Sequence, residues 1–192
     1  MTVAPPRTSP PKRNAAASRA RILQAAQDAF STTGYSHTGI RDIAKLAGVS
    51  STLLVRYFGS KAQLFEEAIK ASMRASETVQ WERSDYGRNL ADALLDPANE
   101  FRGPIMIALA SGDPESAGIA ARIANRHGMK ILADWLGGDA AEERTLAIAM
   151  MSTGYVIYAR QLPMPAAAEL ANLREWFIAT VNRLISGKGW KD

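Results

Sequence analysis

Thr38 to Lys61, TGIRDIAKLAGVSSTLLVRYFGSK, decides the fold of this chain, because its apolar residues recur at helical spacing on both sides of a tight turn. The spacing predicts a first helix that Thr38 caps through its hydroxyl, with Ile40, Ile43, Ala44 and Ala47 on its buried side. Gly48 stands where a positive φ ends a helix, Val49 plugs the turn, and Ser50 caps the next helix. In that second helix Leu54, Tyr57 and Phe58 fall inward, and Ser51, Thr52, Leu53 and Arg56 face outward. Small residues with one arginine suit the floor of a DNA major groove, where bulk would block entry and a guanidinium grips guanine through O6 and N7. The stretch therefore reads as a DNA-reading helix-turn-helix.

The charge distribution agrees. The net charge of +4 divides unevenly: residues 1–80 hold 11 Lys or Arg against 5 Asp or Glu, leaving 12 against 14 for residues 81–192. The basic excess lies with the helix-turn-helix, as expected of a phosphate-binding half joined to a half with another task. The chain has no cysteine and two well-separated histidines, His37 and His127, so disulfides, a thiolate nucleophile and a His-rich metal site are not expected. No cofactor is expected either. The amino terminus lacks the apolar core of a signal peptide, and no apolar run reaches the roughly 20 residues that span a bilayer, so no membrane partner and a cytoplasmic location are expected.

Upstream, residues 1–17 contain four prolines, three basic residues and no acid, and read as a disordered basic arm in which Arg7, Lys12 and Arg13 are placed to meet DNA. Ser18 to Thr33 reads as a helix stopped by Gly34, with Ile22, Ala25, Ala26, Ala29 and Phe30 on one stripe and Arg19 and Arg21 near its start. Downstream, Ser60 and Gln63 have capping-box spacing and open a longer helix with Leu64, Phe65, Ala68, Ile69 and Met73 on its apolar face.

With these anchors in place the chain resembles the tetracycline-repressor (TetR) family of bacterial transcription regulators over roughly Ser18 to Ile69. The resemblance rests on Arg21, Ile22, Leu23, Ala25, Ala26, Phe30, Gly34, Thr38, Ile43-Ala44, Ala47-Gly48-Val49-Ser50, Leu54, Phe58, Lys61 and Leu64. One departure is Val55, where the family usually has a tyrosine that meets a phosphate. The resemblance implies an all-α protein: a three-helix helix-turn-helix domain at 18–62, then a helical ligand-binding and dimerisation domain at 63–192, about nine or ten helices in all. It also implies that the helix opened by Ser60 joins the two domains, so that its movement changes the separation of the recognition helices in a dimer.

Base reading is expected of Arg41, Ser51, Thr52, Leu53 and Arg56. From matching family positions, Thr38, Tyr57 and Lys61 are expected to meet phosphates, contacts that position without specifying.

The second half reads as further helices. Asp85 is expected to cap one ending at Leu95, Phe101 to Ala110 forms a short apolar segment, and Asp113-Pro114 opens another. Gly128 leaves one helix or two between Pro114 and Leu136. Asp139 with Glu142 has capping-box spacing before a helix that is apolar nearly all round to about Arg160. Pro163 and Pro165 precede a last helix with two apolar stripes. One stripe would be exposed in a monomer, so Ile157, Leu173, Trp176, Phe177, Thr180, Val181 and Leu184 are expected to pair with their copies in a two-fold four-helix bundle, as in TetR-like proteins. Phe101, Met106, His127, Trp135, Met151 and Tyr155 are the expected materials of an apolar ligand pocket, together with Arg126, Met150 and the family's implied small-molecule effector.

Three functional classes follow. The first is a dimeric, ligand-released repressor, with an activator or ligand-independent regulator as its variant. The second, an enzyme built on Ser111, Asp113 or His127, lacks a nucleophile elbow, phosphate loop or metal spacing, and no catalytic residue is expected. The third is a protein-interaction module, which predicts no salt-dependent, sequence-selective DNA affinity.

Overall fold

The computed structural model describes residues 12–96, 101–162, 167–188 and 190, and among these every regular element is helical. The first helix, α1 (Lys12–His37), begins earlier than expected, inside the stretch read as a disordered arm. Past Pro11 the chain runs Lys12-Arg13-Asn14-Ala15-Ala16-Ala17 with no breaker, and the high propensity of alanine extends the helix backward. Residues 1–11, Arg7 among them, lie outside the described residues, as do the side chains of Lys12 and Arg13. Gly34 breaks α1 near its end, at φ 76°.

α2 (Ile40–Leu46), α3 (Ser51–Phe58) and α4 (Lys61–Ala71) follow, and with α1 they enclose the first core. Ile22, Ala26, Phe30, Ile43, Leu54, Leu64, Phe65, Ala68 and Ile69 are buried in it. Packing does not break at residue 62: Met106, Ala110, Ile119 and Ile123 from later helices close the same core against α4. These later helices are α5, a single turn (Ala75–Thr78), α6 (Tyr86–Leu95), α7 (Gly103–Ala110), α8 (Pro114–Ala124) and α9 (Lys130–Leu136). A π-helical turn, Asn125–Met129, joins α8 to α9, so 114–136 is one helix with a wide turn. α10 (Ala141–Val156) runs on through a second π turn, Ile157–Gln161, and α11 (Ala167–Ser186) completes the chain's helices. The second core gathers Tyr86, Leu90 and Leu94 with Leu132, Ile148, Tyr155, Val156, Phe177 and Val181. No helix among the described residues is long and apolar enough to cross a membrane.

Three expected caps are corrected, the first being Asp85, which stands at the N-cap of α6 but makes no capping hydrogen bond with its side chain. Thr38 does not cap α2; the N-cap is Gly39, whose amide donates to the Asp42 carboxylate at 3.2 Å, while the Thr38 hydroxyl donates inward to the Gly34 carbonyl at 2.6 Å. Asp139 does not cap α10, because Gly137, Gly138 and Ala140 all take positive φ and the helix starts one residue late, from Ala140. Arg144 serves that loop instead. Only 3% exposed, its guanidinium donates to the carbonyls of Asp139 (3.1 Å) and Gly137, and to those of Leu184 (2.8 Å) and Ile185 at the end of α11.

The expected dimer face divides. Phe177, Val181 and Leu184 are buried in this chain's own core, where α11 packs on α6 and α10, and Phe177 stacks on Tyr155 at 4.4 Å between centroids. Leu173 and Trp176 are exposed, and Ile157 and Thr180 are half-buried. The outward apolar stripe belongs as much to α10, where Leu146 and Met150 are exposed, followed by Tyr158.

Candidate nucleic-acid interface and interhelical cavity

The turn between α2 and α3 is built as local chemistry requires. Gly48 sits at φ 63°, and the Ser50 hydroxyl accepts the Leu53 amide at 3.2 Å, which fixes the start of α3. Gly59 ends α3 at φ 78°, and a Cβ there would run into the Gln63 amide oxygen. That oxygen accepts the Ser60 amide at 3.0 Å while the Ser60 hydroxyl accepts the Gln63 amide at 3.2 Å, a complete capping box at the start of α4. Leu54 and Phe58 anchor the inner side of α3.

On the outer side of α3 lie Thr52, Val55 and Arg56, all exposed, with Ser51 and Leu53 half-buried beside them. Val55, 45% exposed, shares this face more fully than Leu53 does. Arg41 is exposed on α2. Other arginines nearby are tied back to protein: Arg19 pairs with Glu67 at 3.0 Å and lies over the Phe58 ring, and Arg102, just before α7, pairs with Asp28 at 2.7 Å. Arg122 likewise reaches Glu66 at 3.1 Å from α8. Among the described residues Arg41 and Arg56 make no ion pair, so their guanidinium groups need no rearrangement before they meet a nucleic acid.

The expected phosphate contacts fare differently. Tyr57 is half-buried and packs against the first core. Thr38 is 3% exposed with its hydroxyl committed inward, which leaves it no proton for a phosphate. Lys61 is half-buried, its ammonium 4.2 Å above the Tyr35 ring. Tyr35 also packs edge-on to Phe65 and donates its hydroxyl to the Glu115 carboxylate at 2.6 Å. Burial, and then the hydrogen bond and negative charge of Glu115, raise the Tyr35 pKa far above the ordinary tyrosine value. The first turn of α8 thus touches the same ring that carries Lys61.

A cavity of about 110 Å³ lies in the second half. Its walls are the residues just past α4 (Ser72, Met73), α5 (Thr78), α6 (Tyr86, Leu90), Phe101 just before α7, Ile107 on α7, the π turn (Gly128, Met129), α9 (Leu132) and α10 (Thr145, Ile148, Ser152). Of the expected pocket residues it takes only Phe101. Met106 is fully buried in the first core, its sulfur 3.4 Å from the Ser72 hydroxyl oxygen. Trp135 packs on Tyr86 and lies under Arg83, Tyr155 stacks on Phe177, and Met151 packs against the second core. His127 is half-buried off the cavity wall. Thr78, Thr145 and Ser152 carried no sequence signal, because hydroxyls in helices also occur as plain back-bonding residues.

Residues 22–68 match the family model described as bacterial regulatory proteins, tetR family. This chain therefore carries a TetR-type DNA-binding segment over those residues. It is 37% identical over 87 residues to the HTH-type transcriptional repressor Rv3405c of Mycobacterium tuberculosis, covering 40% of this chain and 46% of that protein. It is 47% identical over 53 residues to the HTH-type transcriptional regulator RutR of Escherichia coli, covering 28% of this chain and 25% of that one. The chain thus spans less than half the length of these relatives. The TetR-type fold extends further: a putative TetR-family regulator from Rhodococcus sp. superposes with a TM-score of 0.69 over 88% of this chain and 99% of its own, at 16% identity.

Proposed function

We propose that this protein is a TetR-family transcriptional repressor that binds a palindromic operator as a homodimer and is released by a small, largely apolar molecule. The reading is carried by the outer face of α3, a capped and braced helix that presents Thr52, Val55 and the unpaired Arg56, with Arg41 beside it on α2. Arg56 grips a guanine, Ser51, Thr52 and Leu53 meet base edges, Arg41 assists, and Tyr57 and Lys61 hold the backbone. Double-stranded DNA is the partner, and the helix-turn-helix unit is residues 18–62.

Residues 63–192 supply the dimer face and the effector site. Leu146, Met150 and Tyr158 of α10 and Leu173 and Trp176 of α11 form the apolar stripe that the second copy covers. The effector enters the cavity at the end of α4, and prefers a conformation whose recognition helices no longer match major grooves about 34 to 36 Å apart. Selection of bound duplexes from a random pool at near-physiological salt tests the reading. A palindrome with half-sites about one helical turn apart supports it, and no enrichment above background refutes it.

A further inference from the structure

On the reading that the cavity is the effector site, we propose that the effector is a small, uncharged molecule: a body the size of a six-membered ring carrying one oxygen function that hydrogen-bonds Thr145. The size follows from the volume of about 110 Å³, near the roughly 150 Å³ of an apolar cavity known to hold benzene. Leu90, Phe101, Ile107, Met129, Leu132 and Ile148 make the wall mostly hydrocarbon. Arg74 is the one charged residue on that wall, and its guanidinium is already paired with Glu77 at 2.7 Å. A carboxylate or an ammonium entering here would lose its hydration without gaining a counter-charge.

The hydroxyls decide the polar part. Ser72 donates to the Ala68 carbonyl, Ser152 to the Ile148 carbonyl, Thr78 to the Ala75 carbonyl, and Tyr86 to Thr78. Thr145 differs. It is 1% exposed, and among the described residues its Oγ1 is the one buried side-chain oxygen or nitrogen without a hydrogen-bond partner. A helical threonine usually returns its proton to a carbonyl one turn back, and a buried hydroxyl left unpaired is destabilising. Thr145 lines the cavity, and a turn about its χ1 would bring Oγ1 to an alcohol, phenol or ketone oxygen there and remove that defect, since a hydroxyl both donates and accepts.

The test uses the full-length protein without DNA, with phenol, toluene and benzoate as probes of similar size, and binding followed by ligand-detected NMR. Phenol should bind wild type about 3- to 10-fold more tightly than toluene, the weight of one hydrogen bond, and benzoate should not bind. Thr145→Val should abolish the preference while leaving toluene binding unchanged. Without ligand this variant should melt at or above the wild-type temperature, because the hydroxyl it removes had no partner. Equal binding of phenol and toluene to wild type, an undiminished phenol preference in the variant, or tightest binding of benzoate would each overturn the assignment to Thr145 while leaving the cavity as effector site. Failure of every probe to bind would overturn the effector-site reading itself.

Discussion

Replacing Arg144 by methionine should lower the melting temperature by about 6–12 °C. The side chain is buried, and its bonds go to backbone carbonyls at two places far apart in sequence, the Gly137–Asp139 loop and the Leu184–Ile185 end of α11. Methionine refills much of the volume but donates nothing, so those carbonyls lose their partner, at about 1–3 kcal/mol for each buried group left unpaired. The relief of no longer burying a guanidinium offsets part of that loss, and a net cost of about 3 kcal/mol remains. For a chain of this length that is about 2–4 °C per kcal/mol. Thermal melts by circular dichroism at a fixed protein concentration measure it, since the midpoint of a dimer would depend on concentration. Arg144→Lys should fall between, because an ammonium keeps the charge but cannot fork to both places. A methionine variant melting within about 2 °C of wild type, or above it, would mean that guanidinium desolvation outweighs the carbonyl bonds and that the argument is wrong.

Arg56→Ala should weaken operator binding by about 1–3 kcal/mol and relax preference at one base pair per half-site, whereas Lys61→Ala should weaken all sequences alike and flatten the salt slope; competition binding separates the two patterns. Met150→Glu with Trp176→Glu should yield a folded monomer in sedimentation, because like charges would then sit in the dimer face; a variant that stays dimeric places that face elsewhere. Asp113 caps α8 by accepting the Ser116 amide at 2.8 Å, and this bond, with the hydroxyls of Ser116 and Ser36, holds its pKa below the ordinary aspartate value of 3.8. Its contribution to stability is therefore present above that ordinary value and lost as pH falls through the lower folded one. Between pH 5 and 3 wild type should lose more of its melting temperature than Asp113→Asn, which keeps an N-cap acceptor but does not titrate; parallel curves would contradict this.

What could be read from the sequence was local. Gly48, Ser50, the Ser60–Gln63 box and the Asp113–Pro114 start act over three or four residues, so their spacing alone fixes the boundaries they set. Periodicity gave α11 its two stripes but not which one faces its own chain; Phe177 and Val181 turn inward because α6 lies against them. The Asp139 box failed because the positive-φ residues Gly137, Gly138 and Ala140 around it displace the helix start, and spacing does not register such a turn. The cavity was least legible of all. Trp135 and Tyr155, the bulky residues that suggested a pocket, are consumed by ring packing with Tyr86 and Phe177, and the space opens instead beside the small residues Gly103 and Gly128 and the helical threonines.

The position of α4 sets a mechanical scale for the whole protein. Its 11 residues make a rod about 16 Å long, with Lys61 at one end and the cavity wall beginning at Ser72, just past the other. A tilt of about 10° pivoting at the cavity end would carry the Lys61 end by about 3 Å, the length of one hydrogen bond. On the proposed reading, a molecule no larger than a single ring would need no long relay to reach the DNA: it would work at one end of a rigid lever whose other end carries Lys61.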